Sequence, residues 1–386
     1  MIYIHIPYCR SFCTYCDFYS EVASKCSTYE GFAKALSSEI AARKREIENN
    51  IQSPSGVNTL YIGGGTPSVL PLSVFESMLS SLEEVGCARD FEEFTVEVNP
   101  EDIVEKGHRY VEGLLKLGVN RISMGVQSFD DATLKWMNRR HDSARAKQAY
   151  AVLEESGVKN ISIDLIFGLP QQSLDAWRLN LDKALSISPS GMLPSHISSY
   201  QLSVEEGSAL AALMAKGKWS EASDDVCAQQ YEVLCRHLRD AGYNHYEISN
   251  FAQPGFEAVH NSAYWNHIPY VGLGPGAHSY ASGADQHVRK WNNPDLGAYL
   301  QAGHAGDFVA VQGGEVLTEE QFDLERFMLG LRTSKGLSPE ELLKVCSEEA
   351  LRESTSRGWL QLSDDGNYRI PEEYFFISDA IIAKLS

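Results

Sequence analysis

Three cysteines stand close together near the start of the chain, Cys9, Cys13 and Cys16, in the stretch IYIHIPYCRSFCTYCDFYS. Their spacing is C-x3-C-x2-C. Three thiolates on one short loop can hold three irons of a cubic [4Fe–4S] cluster, whereas a fourth cysteine would complete an electron-transfer site. With three, one iron stays open to a small molecule. Radical chemistry on S-adenosylmethionine (SAM) needs that arrangement, because the open iron can chelate the methionine end of the cofactor. Other uses of cysteine suit the pattern less. A structural zinc site takes four ligands, commonly as two C-x2-C pairs; Cys26 is too distant to join the knuckle and no later C-x2-C exists. A disulfide framework does not suit Cys26, Cys87, Cys227, Cys235 and Cys346, scattered along a chain of 386 residues.

A loop of this kind needs a scaffold that brings other groups to it. Up to about residue 200, short β-rich runs alternate with amphipathic segments. Ile2–Ile6 reads as the first strand, followed by strands at 57–62, 94–98, 121–126, 161–167 and 196–202. Helical periodicity falls between them at 29–47 (Phe32, Leu36, Ile40), 73–85, 101–117, 143–156 with Ser143 as N-cap, and 174–187. Such βα repeats predict a parallel sheet with right-handed crossovers. Six units are too few for a closed eight-fold barrel, so the expected fold is α/β, a partial (β/α)6 TIM-like barrel over residues 1–205. The strand ends carry the unusual residues: the cysteine loop, Gly63-Gly64-Gly65-Thr66-Pro67, Glu97, Gln127, and Asp164 within the fifth strand. Parallel barrels build their sites at that face.

After Ser203 the pattern changes. Residues 206–315 read as an α+β extension, loop-like over 207–217 with a short Ala/Leu helix, then a helix at 224–241, strands at 243–248 and 287–291, and the aromatic, glycine-rich run HNSAYWNHIPYVGLGPGAHSY. Residues 316–386 predict a small winged-helix-like domain, helical from Thr318 and closing on two short strands about the Asp365-Gly366 turn.

Bulk properties narrow the function. The formal charge of −19 argues against a nucleic-acid partner, which needs a basic face. No apolar run approaches the roughly 18 residues of a membrane span, and MIYIHIPYC lacks the basic start and long apolar run of a signal peptide. The expectation is a cytoplasmic protein in a reducing compartment, where cluster thiolates survive.

Taken together, HIPYCRSFCTYCDF, IGGGTPS, EVNPE, NRISMGVQSF, NISIDLIFGLP and HNSAYW resemble the radical SAM proteins related to oxygen-independent coproporphyrinogen III oxidase, and most of all their heme-chaperone branch. The resemblance runs nearly the whole chain. It implies that Cys9, Cys13 and Cys16 hold the cluster and that Tyr15 packs near the adenine of SAM. Tyr3 would contact the methionine part, and Gly64, Gly65 and Thr66 would present backbone groups to its amino end. Glu97 would bind the amino group or ribose, Gln127 and Arg139 the ribose and carboxylate, and Asp164 the ribose. For Glu97 a solvated strand-end carboxylate is the plain alternative, and for Asp164 a structural ion pair. In the branch-specific HNxxYW run, His260 could ligate heme iron while Tyr264 and Trp265 pack on the porphyrin. The same run also reads as an aromatic-cornered turn closing the open side of the barrel. His278 is a second heme candidate.

Two departures separate the branches. The oxidases carry a further cysteine two positions after the third ligand, where this chain has Phe18, and an N-terminal extension before the first strand. An acidic chain is also a poor generic host for a substrate bearing four carboxylates. The favoured expectation is therefore a chaperone that binds heme and passes it to an acceptor hemoprotein, with catalytic turnover open and any membrane association made through the acceptor. The alternatives are oxidative decarboxylation of coproporphyrinogen III, and radical chemistry on another substrate.

Overall fold

A computed structural model describes residues 1–22, 26–53, 55–283 and 286–386. Six parallel strands run in sequence order across the main sheet: β1 (Ile2–Ile6), β2 (Thr59–Gly64), β3 (Glu93–Val98), β4 (Arg121–Gln127), β5 (Asn160–Phe167) and β6 (His196–Gln201). Alternate residues explain why they form a half-barrel rather than a sheet buried in apolar contacts on both faces. Phe94, Val96 and Val98, then Ile122, Met124 and Val126, then Ile161, Ile163 and Leu165 are buried and apolar. They pack beneath an outer helical layer. The intervening residues are polar and equally buried: Glu93 and Thr95, Arg121 and Ser123, Ser162, His196 and Ser198. Period-two alternation puts this second set on one side, the lumen.

The helices of the outer layer are α1 (Cys26–Ala42), α2 (Lys44–Ile51), α3 (Leu72–Glu84), α4 (Pro100–Lys116), α5 (Asp131–Trp136), α6 (Ser143–Glu155) and α7 (Leu174–Leu185). The single helix expected over 29–47 is two helices that meet at Arg43. That guanidinium is spent on Glu39, Glu46 and the carbonyl of Gly272. Ser143 is not the N-cap of α6; Asp142 is, its carboxylate accepting from the Arg145 amide at 2.8 Å. Asp and Ser are comparable caps, and here the turn begins one residue earlier.

The barrel stays open, and both edges are extended by strands from the second half of the chain. After α8 (Ala209–Ala215) and α9 (Asp224–Asp240), strands β7 (Asn244–Glu247) and β8 (Asn250–Ala252) add antiparallel pairs beyond β6. Helix α10 (Val259–Trp265) follows, and β9 (Val271–Leu273) pairs parallel with β1, Ile2 opposite Val271. The main sheet is therefore nine strands wide. Strand β9 is three residues inside a glycine-rich run, too short to show as a period. A separate antiparallel sheet, β10 (His278–Ser282), β11 (His287–Asn292) and β12 (Gln312–Leu317), precedes the C-terminal segment; α11 (Leu296–Ala305) lies within it.

Helices α12 (Glu319–Leu331), α13 (Pro339–Leu343) and α14 (Glu348–Ser356) come next, then the hairpin β13 (Gln361–Leu362) and β14 (Tyr368–Arg369), and finally α15 (Ser378–Leu385). Leu337 bridges Tyr368 as a third strand, the element order of a winged helix. Its apolar residues join one buried cluster that runs from Ile2 to Leu385. No helix among the described residues is long and apolar enough to cross a membrane.

Candidate functional site

A cavity of about 430 Å³ opens at the C-terminal ends of the strands. Its lining includes Cys9, Cys13 and Cys16, and with them Tyr15, Gly64, Gly65, Thr66, Glu97, Gln127, Arg139 and Asp164. Residues up to 155 positions apart in the sequence thus meet at one place, because parallel strands deliver their C-terminal ends to the same face.

The cysteine loop is held from outside the barrel. The Thr14 amide donates to the Met137 carbonyl at 3.1 Å and its hydroxyl to that of Trp136 at 2.9 Å. Asn138 donates to the Phe12 carbonyl at 2.7 Å, and the Leu210 amide to that of Thr14 at 3.0 Å. Helix α5, which the sequence reading did not separate, is therefore the clamp that presents the thiols. All three are partly exposed, while Cys87, Cys227, Cys235 and Cys346 are buried. Burial raises the Cys9 thiol above its usual range and pushes that of Cys16 up to about 12. Iron must displace those protons on binding. Thr66 Oγ1 lies 3.3 Å from Cys9 Sγ, and Arg139 Nη1 donates to Cys13 Sγ at 3.4 Å.

The glycine triplet is required sterically. Gly64 has φ +106°, and a Cβ there would lie 2.7 Å from the His5 ring; one on Gly65 would lie 2.7 Å from the Tyr8 carbonyl oxygen. The chain passes so close to β1 that only glycine fits. At Gln127 a non-glycine residue is held at φ +67°, beside a register shift between Gly125 and Gln127. Left-handed backbone at a strand end is uncommon and gathers at functional places. Gly125 leaves room for the Gln127 amide, 2.9 Å from where a Cβ would stand, and its carbonyl accepts from Arg139 Nη2 at 2.6 Å. Arg139 Nε has no partner among the described residues. Burial lowers its affinity for a proton, but the neighbouring Tyr15 and Cys13 outweigh this and hold the guanidinium charged.

Glu97 and Asp164 form the inner wall. Glu97 accepts from the Tyr61 hydroxyl at 2.7 Å and the Gly64 amide at 3.2 Å; burial nevertheless raises its carboxyl to about 7. The carboxyl is thus a partly buried, hydrogen-bonded acid rather than a freely solvated strand end. Asp164 accepts from Ser123 Oγ at 3.2 Å to each oxygen, and burial raises it too. No ion pair holds it within 4 Å among the described residues. Arg121, fully buried, lines the same wall, its Nε without a partner among the described residues. The sequence reading passed over both Arg121 and Tyr61. Their signal is their phase, since each alternates with apolar residues in a strand and so faces the lumen.

Tyr3 is not among the residues lining the cavity. It sits three residues before the end of β1, one layer down, and its hydroxyl is 3.0 Å from His5 Nδ1. The HNxxYW run forms α10, below the cavity, beside the first residues of β2 and β3. Glu93, first residue of β3, accepts from the Val259 amide at 2.8 Å and the His260 amide at 3.0 Å, capping the helix with a carboxylate. His260 is 1% exposed. Its Nδ1 lies 2.8 Å from Thr59 Oγ1, its Nε2 2.9 Å from the Tyr264 hydroxyl, and its ring packs on Tyr61. Both nitrogens have internal partners. The structural alternative would give such bonds, at the floor rather than at the open side of the barrel. Trp265 ends the same helix and is partly exposed, as is Tyr264. Asn261 alone of this run lines the cavity. His278 is exposed on β10, stacked near Trp291.

The donor set suits a cluster with SAM: three partly exposed thiols on one wall, a guanidinium beside them, and two partly buried carboxyls opposite. Comparison with known proteins points the same way. Residues 3–183 match the Radical SAM superfamily model. Heme chaperone HemW of Lactococcus lactis is 35% identical over 90% of this chain and 86% of the relative, and that of Synechocystis is 33% identical over 95% and 87%. The structure of Escherichia coli coproporphyrinogen III oxidase (HemN), a radical SAM enzyme, superposes with a TM-score of 0.78, covering 100% of this chain and 89% of that one at 20% identity, a likeness of fold. The chain belongs to the HemW family of radical SAM proteins.

Proposed function

We propose that this protein is a heme chaperone, which binds heme and passes it to an acceptor hemoprotein. The observation that carries this reading is similarity along almost the whole chain to relatives named heme chaperone HemW. Phe18, where the resembling oxidases have a cysteine, supports it against decarboxylation of coproporphyrinogen III. In this reading Cys9, Cys13 and Cys16 hold a [4Fe–4S] cluster. Gly64, Gly65, Thr66, Glu97, Gln127, Arg139, Asp164 and Tyr15 surround SAM. When bound, these groups supply radical chemistry. The chain's own contribution is to hold them. Arg139 sets a positive charge against the thiolates, Glu97 offers a carboxylate to an ammonium group, and the clamp on Thr14 fixes the loop.

Heme has flat apolar faces, and aromatic rings pack on such faces. Phe12 and Phe18 line the mouth of the cavity and are 54% and 64% exposed. We place the porphyrin against them rather than at His260. The protein acts in the cytoplasm, where thiols stay reduced, and meets a membrane only through its acceptor.

Heme titration of the cluster-loaded protein tests the reading. A saturable Soret shift is expected, weakened in Phe12→Ser/Phe18→Ser and kept in His260→Ala. The absence of any shift overturns heme binding. Coproporphyrinogen supplied with SAM and reductant should be returned unchanged; conversion at turnover rates would establish the oxidase instead.

A further inference from the structure

We propose a second metal site, separate from the cluster, that takes a single divalent cation of the zinc class at Cys235, His245 and Glu372. These residues come from three elements: α9, strand β7, and the one-turn segment Glu372–Ile377 before α15. One ligand atom from each lies within 4.8 Å of the other two. His245 Nδ1 is 3.9 Å from Cys235 Sγ and 3.0 Å from Glu372 Oε1. A tetrahedral Zn2+ bound at about 2.3 Å to sulfur and about 2.1 Å to nitrogen and oxygen sets these separations at about 3.6 and 3.4 Å. The two separations that His245 makes are each within about 0.5 Å of those values.

The surroundings are those of a ligand set. His245 Nε2 faces the Ile248 carbonyl at 3.2 Å, a partner that would keep the proton on Nε2 once Nδ1 gave up its hydrogen bond to Glu372 and turned its lone pair to a metal. The ring is fixed by stacking on Phe251, centroids 4.0 Å apart, and by the edge of Phe375. Arg239 holds the second carboxylate oxygen of Glu372. Cys235 and the His245 side chain are about 95% buried, while the Glu372 side chain is 27% exposed, which gives a water molecule access to the fourth position. A thiolate and a carboxylate neutralise the dication, and binding releases the thiol proton. The bond would tie the C-terminal segment to the edge of the main sheet.

The test uses the full chain with its iron–sulfur cluster assembled anaerobically. Protein is incubated with Zn2+, desalted, and counted for zinc and iron. One zinc per chain is expected beyond the irons, retained by Cys13→Ser and lost from Cys235→Ser and His245→Ala. Co2+ added to a Cys9→Ser/Cys13→Ser/Cys16→Ser chain should give visible thiolate-bound bands, which vanish when Cys235→Ser is added. Because Cys235 is buried, Glu372→Gln gives an independent measure: it should weaken zinc affinity at least ~10-fold with an unchanged circular dichroism spectrum. Zinc absent from the wild-type chain, or held equally by Cys235→Ser, overturns the site and leaves an ordinary His245–Glu372 ion pair.

Discussion

The two ends of the half-barrel are built from the same kinds of side chain and put them to opposite uses. At the floor, Glu93, Thr59 and His260 are buried and satisfy one another and the amides of α10. At the cavity end, Cys9, Cys13 and Cys16 are partly exposed, Arg139 Nε lacks a partner among the described residues, and Asp164 is held by serine hydroxyls without an ion pair among those residues. A polar group whose bonds are complete contributes to the fold; one left incomplete next to a cavity is poised for a ligand. In the HNxxYW run, chemically suggestive as a sequence, both nitrogens of His260 have partners within the chain.

This contrast breaks most sharply at the cysteine loop. Cys13→Ser should abolish the visible absorbance of the cluster and bring iron to background, with the melting temperature of the SAM-free chain little changed; retained iron would refute the ligand assignment. Arg139→Ala should come next, lowering SAM affinity by an order of magnitude or more through loss of a charge-assisted contact. Titration of SAM into the cluster-loaded variant measures it. At the floor the pattern reverses. His260→Ala removes two hydrogen bonds and a buried ring, and should cost about 2–4 kcal/mol in denaturant unfolding while leaving SAM affinity within a few-fold of wild type. A lost Soret shift with unchanged stability would return the histidine to the role of heme ligand.

How far the sequence exposed this division follows from what leaves a local trace. The βα alternation, the thiol spacing and the glycine triplet are local, so the six central strands and the cavity residues at their ends could be read directly. Tyr3 lies on the expected strand but outside the cavity lining, and depth along a strand, which depends on where the barrel ends, leaves no local trace. His260 was ambiguous because its partners, Thr59 and Glu93, lie more than 160 residues away. Edge strand β9 and clamp helix α5 are short, and only their tertiary contacts define them. The Cys235, His245 and Glu372 cluster spans 137 residues with no spacing signature at all.

The smallest predicted effect distinguishes the two ends by the sign of their response to pH. Burial lowers His260 to about 3, with the N-terminal ammonium and Arg121 adding to it. A base depressed in the folded state must be neutral there, so the floor loses stability as pH falls below its unfolded value of about 6.5 toward 3. Burial raises Glu97 to about 7. An acid raised in the folded state is favoured protonated, so its contribution is fully present below about 4.5 and is lost as pH rises to about 7. Without SAM, then, Glu97→Gln should be more stable than wild type at pH 8 and closer to it at pH 5. SAM, through its ammonium group, should favour the ionised carboxylate and narrow that gap in wild type alone. Denaturant titrations at the two pH values, with and without SAM, measure it. A Glu97→Gln chain that is less stable than wild type at pH 8 without SAM would mean that the carboxylate is held by the fold, as Glu93 is, rather than kept for a ligand.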